Sequence, residues 1–530
     1  MITTTYLFLN TTKKRVIITS LTKMLSIILF ICCLATWVTA QTDTAMLRAD
    51  VEAHPDSLSA HEDYINAFRK SIPGASYGNS DSVLTLLVPQ YSLWMHQFPQ
   101  YAVVPFALGD AYANAESPKA KPYLLKAIEI DPKFAKAYFD LSIDADRWGD
   151  SKVGNAYLLK AKEADPDNPD YAFYYAISFQ NSNPARWRTM LYDLIKQFPK
   201  SERGAQGLYW LAFGTNVANE KVKIYEQLRN LYPPDKFGWS NDGMDSYFQL
   251  LLKTDPAKAI YLAKYMSGLK SENVEKKEWE KNLALAEKID KAHLLLNKHQ
   301  AVAAMKILSG VTVNRWSDAL ESVNLLKAES VTANGNIRAA YDSLLLFYAK
   351  SPHDETRVAL LQYGAKLKKN ETQVNQDVWK QRDMTAKTAH PFKLKDYLTG
   401  DSVSLSDFRG KVVLLTFWFP GCGPCRGEFP HFQKILNEFK GENITFLGIN
   451  VSPDQNEYVV PFMKGTGYSF IPLESNSDWA QNAYGVRGEP TNFLIDGNGK
   501  IIFTGFMIQD EQEEQMLRLM ISSMVLKRKA

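Results

Sequence analysis

The stretch Phe417-Trp418-Phe419-Pro420-Gly421-Cys422-Gly423-Pro424-Cys425-Arg426 constrains this chain more than any other, because it sets two cysteines at a change of secondary structure. Before it, Val412 to Trp418 is a β-branched and aromatic run without charge, the pattern of a strand buried on both faces. After it, Glu428, Phe429, Phe432, Ile435, Leu436 and Phe439 recur at three- and four-residue spacing, one face of a helix. Cys422 then falls in the first turn of that helix, where unpaired N–H groups and the positive end of the dipole favour a thiolate over a thiol. A thiolate is the species that attacks a disulfide, and Cys425, one turn on, is close enough to resolve the mixed disulfide. Pro424 suits a helix start, since the N–H it lacks would have had no intrahelical partner. A C-x-x-C pair alone also fits half a zinc site or a structural disulfide. Zinc needs further ligands at matching spacing, and the sequence has no second cysteine pair and no close histidine pair. A disulfide closing so short a loop stabilises little. Redox chemistry is the reading that the strand-then-helix setting supports.

The other two cysteines, Cys32 and Cys33, lie in an apolar stretch from Leu25 to Val38. Lys13, Lys14, Arg15 and Lys23 precede it and Val38-Thr39-Ala40 follows, the layout of a secretory signal peptide over residues 1–40, cut after Ala40. The apolar run is shorter than the roughly 20 residues of a spanning helix. The mature chain would then keep only the motif pair, and in an oxidising compartment a lone pair is a working pair rather than a staple. At 530 residues with 45% hydrophobic content the chain can bury more than one core. The net charge of +3, from 61 basic and 58 acidic residues, gives no case for nucleic acid as a partner, and the eight histidines form no metal constellation.

From about Asp50 to Lys200 the chain repeats. Pro99, Pro132, Pro166, Pro199 and Pro233 each end a unit, 33 or 34 residues apart, which is the tetratricopeptide period. Ala120, Leu124 and Ala127 before Pro132 match Leu158 and Ala161 before Pro166, small and apolar positions that let antiparallel helices approach, while Gly154 stands where alanine is usual. Beyond Pro233 the phase is lost, but helical spacing continues through Tyr247, Leu250, Leu251, Tyr341, Leu344, Leu360 and Tyr363. Residues 41–375 therefore read as one all-α solenoid, whose concave face would take a protein partner. The polar stretch 376–388 reads as a linker and 389–530 as a separate α/β domain with a mixed sheet.

In that last domain, Gly410-Lys411-Val412-Val413-Leu414, Phe417-Trp418, Cys422-Gly423-Pro424-Cys425 and Tyr484-Gly485-Val486-Arg487-Gly488-Glu489-Pro490-Thr491 resemble thioredoxin. The leading hairpin, the turn Ser404 to Gly410 and an extra helix after Asn450 resemble the TlpA/ResA-type envelope disulfide reductases. The resemblance covers about 140 residues and implies a thioredoxin fold acting on protein disulfides, with no cofactor beyond the Cys422–Cys425 pair and a membrane thiol donor to recharge it. It makes Cys422 the exposed nucleophile, Cys425 the buried resolving thiol and Pro490 the cis-proline. It sets Trp418, Gly423, Pro424, Glu489 and Thr491 on the substrate-binding surface. Thioredoxin carries a buried aspartate six residues before its first cysteine; Thr416 stands there and takes no proton. Glu428, six residues after Cys422, matches an acidic position of the TlpA/ResA type, and burial would fit it to deprotonate Cys425. Two rival functions remain. A thiol peroxidase would place threonine where Phe419 stands, and a scaffold would use the solenoid as its main part.

Overall fold

The structure, a computed structural model, describes residues 44–72, 80–314, 317 and 319–529. The expected signal peptide, with Cys32 and Cys33, lies outside them. The chain divides into two compact units, one ending at Ala145 and the other running from Asp146 to Ala530.

The repeat-ending prolines mark helix ends. Helices Val88–Gln97, Ala120–Ile130, Ser151–Ala164, Pro184–Gln197 and Ala218–Leu231 each stop two residues short of one of the prolines, and another helix follows it. Proline removes the N–H and disfavours helical geometry in the residue before it, so the helix ends there. In the first unit the small residues act as expected. Gly109 in helix Val103–Asn114 sits so close to helix Ala120–Ile130 that a Cβ there would meet Leu124 Cδ2 at 2.9 Å. In the second unit the helices share a core from Ala172 to Leu326, and a further cluster joins Ala328, Tyr341, Leu344 and Leu360 to Val374 and Val378.

The stretch expected as a linker is largely helix. Glu371–Thr385 opens with an Asn370–Gln373 capping box and buries Val374, Val378 and Arg382, a stripe at four-residue spacing that the many charges around it conceal. Arg382 is 2% exposed. Its Nε donates to the Ala349 carbonyl at 3.1 Å and its Nη1 to Ser523 Oγ at 2.9 Å. The guanidinium lies 4.9 Å from the Trp379 ring centre and 4.7 Å from that of Phe503. Burial pushes its pKa down to about 10, so it stays cationic at neutral pH. Trp379 joins the core of the following sheet domain, so this helix packs on both sides.

That domain holds a six-stranded sheet in the order β1-β8-β7-β4-β5-β6, where β1 is Lys387–Thr388, β4 Val412–Trp418, β5 Ile444–Asn450, β6 Ile471–Glu474, β7 Thr491–Ile495 and β8 Lys500–Thr504. β4 pairs parallel with β5 and antiparallel with β7. A hairpin of β2 (Lys393–Lys395) and β3 (Ser402–Ser404) stands beside it. Every residue of β4 is buried, and alternation sends Val412, Leu414 and Trp418 to one core and Val413, Leu415 and Phe417 to the other. The first core is closed by the helices Gly423–Glu438, Asn456–Thr466 and Glu511–Lys529. Glu514, 3% exposed as a side chain, accepts from Lys434 and Arg518 at 2.7 and 3.0 Å and ties the last helix to the first.

Arg382→Ala strands two hydrogen-bond partners and empties the space between two rings, so we expect a loss of about 2–4 kcal/mol in denaturant unfolding followed by tryptophan fluorescence. Arg338→Ala, which breaks an exposed pair with Asp342, should leave the transition where it is.

Candidate redox site

The motif sits where β4 ends and helix Gly423–Glu438 begins, with Cys422 as the N-cap. The Cys425 N–H donates to Cys422 Sγ at 3.2 Å, so the sulfur takes the place of the usual capping oxygen. The two sulfurs lie within bonding distance and the Cα atoms are 5.3 Å apart. Negative charge on Cys422 is favoured here by that N–H and by the helix dipole together. Cys425 is fully buried, while Gly423 and Pro424 are exposed. Cys422, expected to be exposed, is only 4% exposed. Its sulfur is turned inward to Cys425, in the same apolar cluster as Phe429.

Glu428 lies one helical turn beyond Cys425 and is wholly buried. Asn492 Nδ2 donates to both of its oxygens, at 3.1 and 2.9 Å, and the Ile508 N–H donates to Oε1 at 2.6 Å. These bonds favour the ionised form, but burial outweighs them and raises the carboxyl to about 8. A group that titrates there can exchange a proton at neutral pH. Asn492 pairs with Thr416 across β7 and β4, so the strand position that lacks an acid lies beside the residue that holds one. Among the described residues the Thr416 hydroxyl has no hydrogen-bond partner.

The Glu489–Pro490 peptide bond is cis. Thr491 pairs with Phe417, which brings this loop alongside the end of β4 that leads into Cys422. Glu489, Pro490 and Thr491 are half-buried, and burial raises the Glu489 carboxyl. Trp418, expected on the substrate-binding surface, is instead wholly buried. Strand alternation turns it inward, where its ring centre lies 5.2 Å from those of Phe429 and Phe470 and 5.3 Å from that of Phe462.

Two positioning residues escaped the sequence reading. Gln455 Oε1 accepts from the Gly421 N–H at 2.6 Å and so holds the turn just before Cys422. Asn492 holds Glu428. Both are single polar residues whose partners are distant in sequence, and neither sits in a pattern that could have marked it. Among the described residues no group of three or more His, Cys, Asp or Glu could hold a metal ion.

Residues 385–504 match the AhpC/TSA family. The thiol-disulfide oxidoreductase ResA of Geobacillus thermodenitrificans is 37% identical over 132 residues, which are 24% of this chain and 74% of that protein. The chain belongs to the ResA-type thiol-disulfide oxidoreductases. The ResA of Bacillus subtilis is 34% identical over 127 residues, 24% of this chain and 70% of that protein. Among solved structures, the thioredoxin domain of a thiol-disulfide oxidoreductase from Bacteroides vulgatus is 28% identical, with a TM-score of 0.23, and is matched over 96% of its length by 26% of this chain. A thiol:disulfide interchange protein from a Bacteroides species is 28% identical, with a TM-score of 0.24, and is matched over 90% of its length by 26% of this chain. The ResA-type likeness is thus carried by the thioredoxin-like domain, an enzyme of thiol-disulfide exchange, and each of these matches leaves about three quarters of the chain outside it.

From about pH 4.5 to 8 the unfolded chain has released the Glu428 proton while the folded chain retains it. The stability this group contributes is therefore complete below that window and falls as pH rises through it. Denaturant midpoints taken across the window should decline with pH in the parent chain, and Glu428→Gln should flatten that decline.

Proposed function

We propose that this chain is an exported reductant of protein disulfides, recharged by a thiol donor in the membrane. The observation that carries the reading is the Cys422 sulfur capping a helix N-terminus, with Cys425 and a proton-exchanging Glu428 one and two turns behind it. Cys422 thiolate attacks one sulfur of the substrate disulfide, that bond breaks, and the other substrate sulfur leaves as a thiolate. Glu428 takes the Cys425 proton, and Cys425 attacks Cys422 Sγ. The second substrate sulfur leaves and the Cys422–Cys425 disulfide closes. Two electrons pass to the substrate, and its two thiolates take up protons. The cis Glu489–Pro490 loop, with Thr491, Gly423 and Pro424, offers the surface on which an extended substrate segment lies.

In this reading residues 1–40 direct export to the periplasm or cell envelope and are removed. Among the described residues no helix is long and apolar enough to cross a membrane. Residues 41–375 serve as a tetratricopeptide-like array that binds a protein partner. The helix pairs punctuated by prolines support that assignment. A scaffold with an accessory redox domain is the rival reading, favoured by the share of the chain that is helical array.

Insulin reduction driven by dithiothreitol tests the proposal. The parent chain should turn over, Cys422→Ser should not, and Glu428→Gln should be slower by about 10²-fold. Cys425→Ser should trap partners as mixed disulfides. Turnover that survives Cys422→Ser rejects the mechanism, and a Cys425→Ser chain that captures nothing favours the scaffold.

A further inference from the structure

Three successive repeats bring the opening turns of their leading helices together around a cleft of about 600 Å³. Asp170 comes from helix Pro169–Ile177, Glu202 and Arg203 from Glu202–Phe213, and Trp239 and Asp242 from Gly238–Thr254. These helices follow the phased prolines Pro166, Pro199 and Pro233. Arg203 is the cation of the lining, and its charge is answered within the chain. Its Nε donates to Asp170 Oδ1 at 2.7 Å and its Nη1 to Gln206 Oε1. The guanidinium lies 5.3 Å from the Phe173 ring centre and 5.0 Å from that of Tyr174. Glu202 is engaged as well. Its carboxylate accepts from the Gly238 N–H at 2.9 Å and the Trp239 N–H at 3.5 Å, so one repeat caps the leading helix of the next.

Asp242 has no such use. It lies beyond the first turn of its helix, where the pull of the dipole has faded, and it is exposed. Among the described residues it has no ion-pair partner. Asp245, three residues on, adds a second exposed carboxylate on the same helix face. An aromatic wall stands beside them. The Trp239 ring centre lies 5.3 Å from that of Tyr209 and 6.5 Å from that of Trp210, which lies 5.4 Å from that of Phe213. A Cβ on Gly243 would meet Tyr209 Cδ2 at 3.6 Å, which sets that ring against the backbone next to Asp242. All four rings are half-buried, so part of each stays open to solvent. A carboxylate beside tryptophan and tyrosine is the setting that a guanidinium satisfies, since it lies flat on a ring and forks to the carboxylate. An anion, which three helix N-termini would otherwise attract, meets carboxylates here.

We propose that this cleft takes an arginine side chain from an extended segment of a partner protein, with the guanidinium stacked on Trp239 and paired with Asp242. This rests on the reading of residues 41–375 as a partner-binding array, and it names the site and the side chain within that array. Charge complementarity selects the occupant. Once Arg203 is paired with Asp170 and Glu202 with a helix end, the cleft presents an unanswered carboxylate and open aromatic surface.

The test uses the full chain and fluorescein-labelled peptides of repeated Arg-Ser, Lys-Ser or Glu-Ser, read by fluorescence anisotropy at about 0.15 M salt. The parent chain should bind Arg-Ser, bind Lys-Ser about fivefold more weakly, and leave Glu-Ser free. Asp242→Asn and Trp239→Leu should each weaken Arg-Ser binding by about fivefold, and Asp242→Lys should abolish it. Asp342→Asn removes the same charge from helix Ile337–Lys350 and should bind as the parent does. An equal loss in Asp342→Asn marks general charge attraction and overturns the inference. Arg-Ser binding that survives both Asp242 variants overturns it as well. Should Trp239→Leu not fold, the two variants of the exposed Asp242 decide. A parent chain that binds Arg-Ser and Glu-Ser alike, with Asp242→Lys no different, keeps a peptide-binding array and refutes only this cleft. A parent chain that binds none of the three overturns the inference, and one that also leaves a wider set of neutral and aromatic peptides free refutes the array reading itself.

Discussion

The hydrogen bond from the Cys425 N–H to Cys422 Sγ is the interaction on which the rest depends. It exists because a fully buried strand stops at Trp418 and a helix begins five residues later, with a cysteine where a serine or aspartate would ordinarily cap. The sheet makes that junction rigid. β4 is clamped between β5 and β7 and packed on both faces, so the turn that carries Cys422 cannot drift without disturbing two cores. Gln455 adds a hold on Gly421 from the neighbouring loop. The sulfur is therefore presented to an N–H and a helix dipole that are already in place, which is what activates a thiol without a metal or cofactor.

The proton side of the chemistry is arranged separately. Thr416 leaves the strand without an acid, and Glu428 supplies one from the helix, beneath the motif and against Asn492. A buried carboxylate would normally be an expense to stability, and three donated hydrogen bonds only partly offset it. The outcome is a group near neutral pH, unfavourable for folding above that value and suited to proton exchange.

Much of this was legible in the sequence. The run Val412 to Trp418 has one interpretation, since seven uncharged residues, five of them β-branched or aromatic, leading into a C-x-x-C are hard to place anywhere but a central strand. The proline phase likewise marked the helix ends, because proline acts locally. Short and tertiary features were not legible. β1 and β6 are two and four residues long, too short for a period. The helix Glu371–Thr385 hides a stripe of Val374, Val378 and Arg382 among charges, and a buried arginine reads as solvated until its partners at Ala349, Ser523, Trp379 and Phe503 are seen. Trp418 looked like a contact surface from its place beside the motif, but strand alternation, which the sequence does contain, turns it into the core. The burial of Cys422 comes from a sulfur turned inward to Cys425, a tertiary arrangement that no pattern encodes.

In the proposed function this pair is a reductant of the thioredoxin kind, with the capped Cys422 as its attacking thiolate. Its reduction potential, measured by equilibrating the full chain with glutathione buffers, tests that claim most directly. A midpoint close to thioredoxin's, about −270 mV, is predicted, and a midpoint near about −120 mV, the range of a strong oxidant, would contradict it.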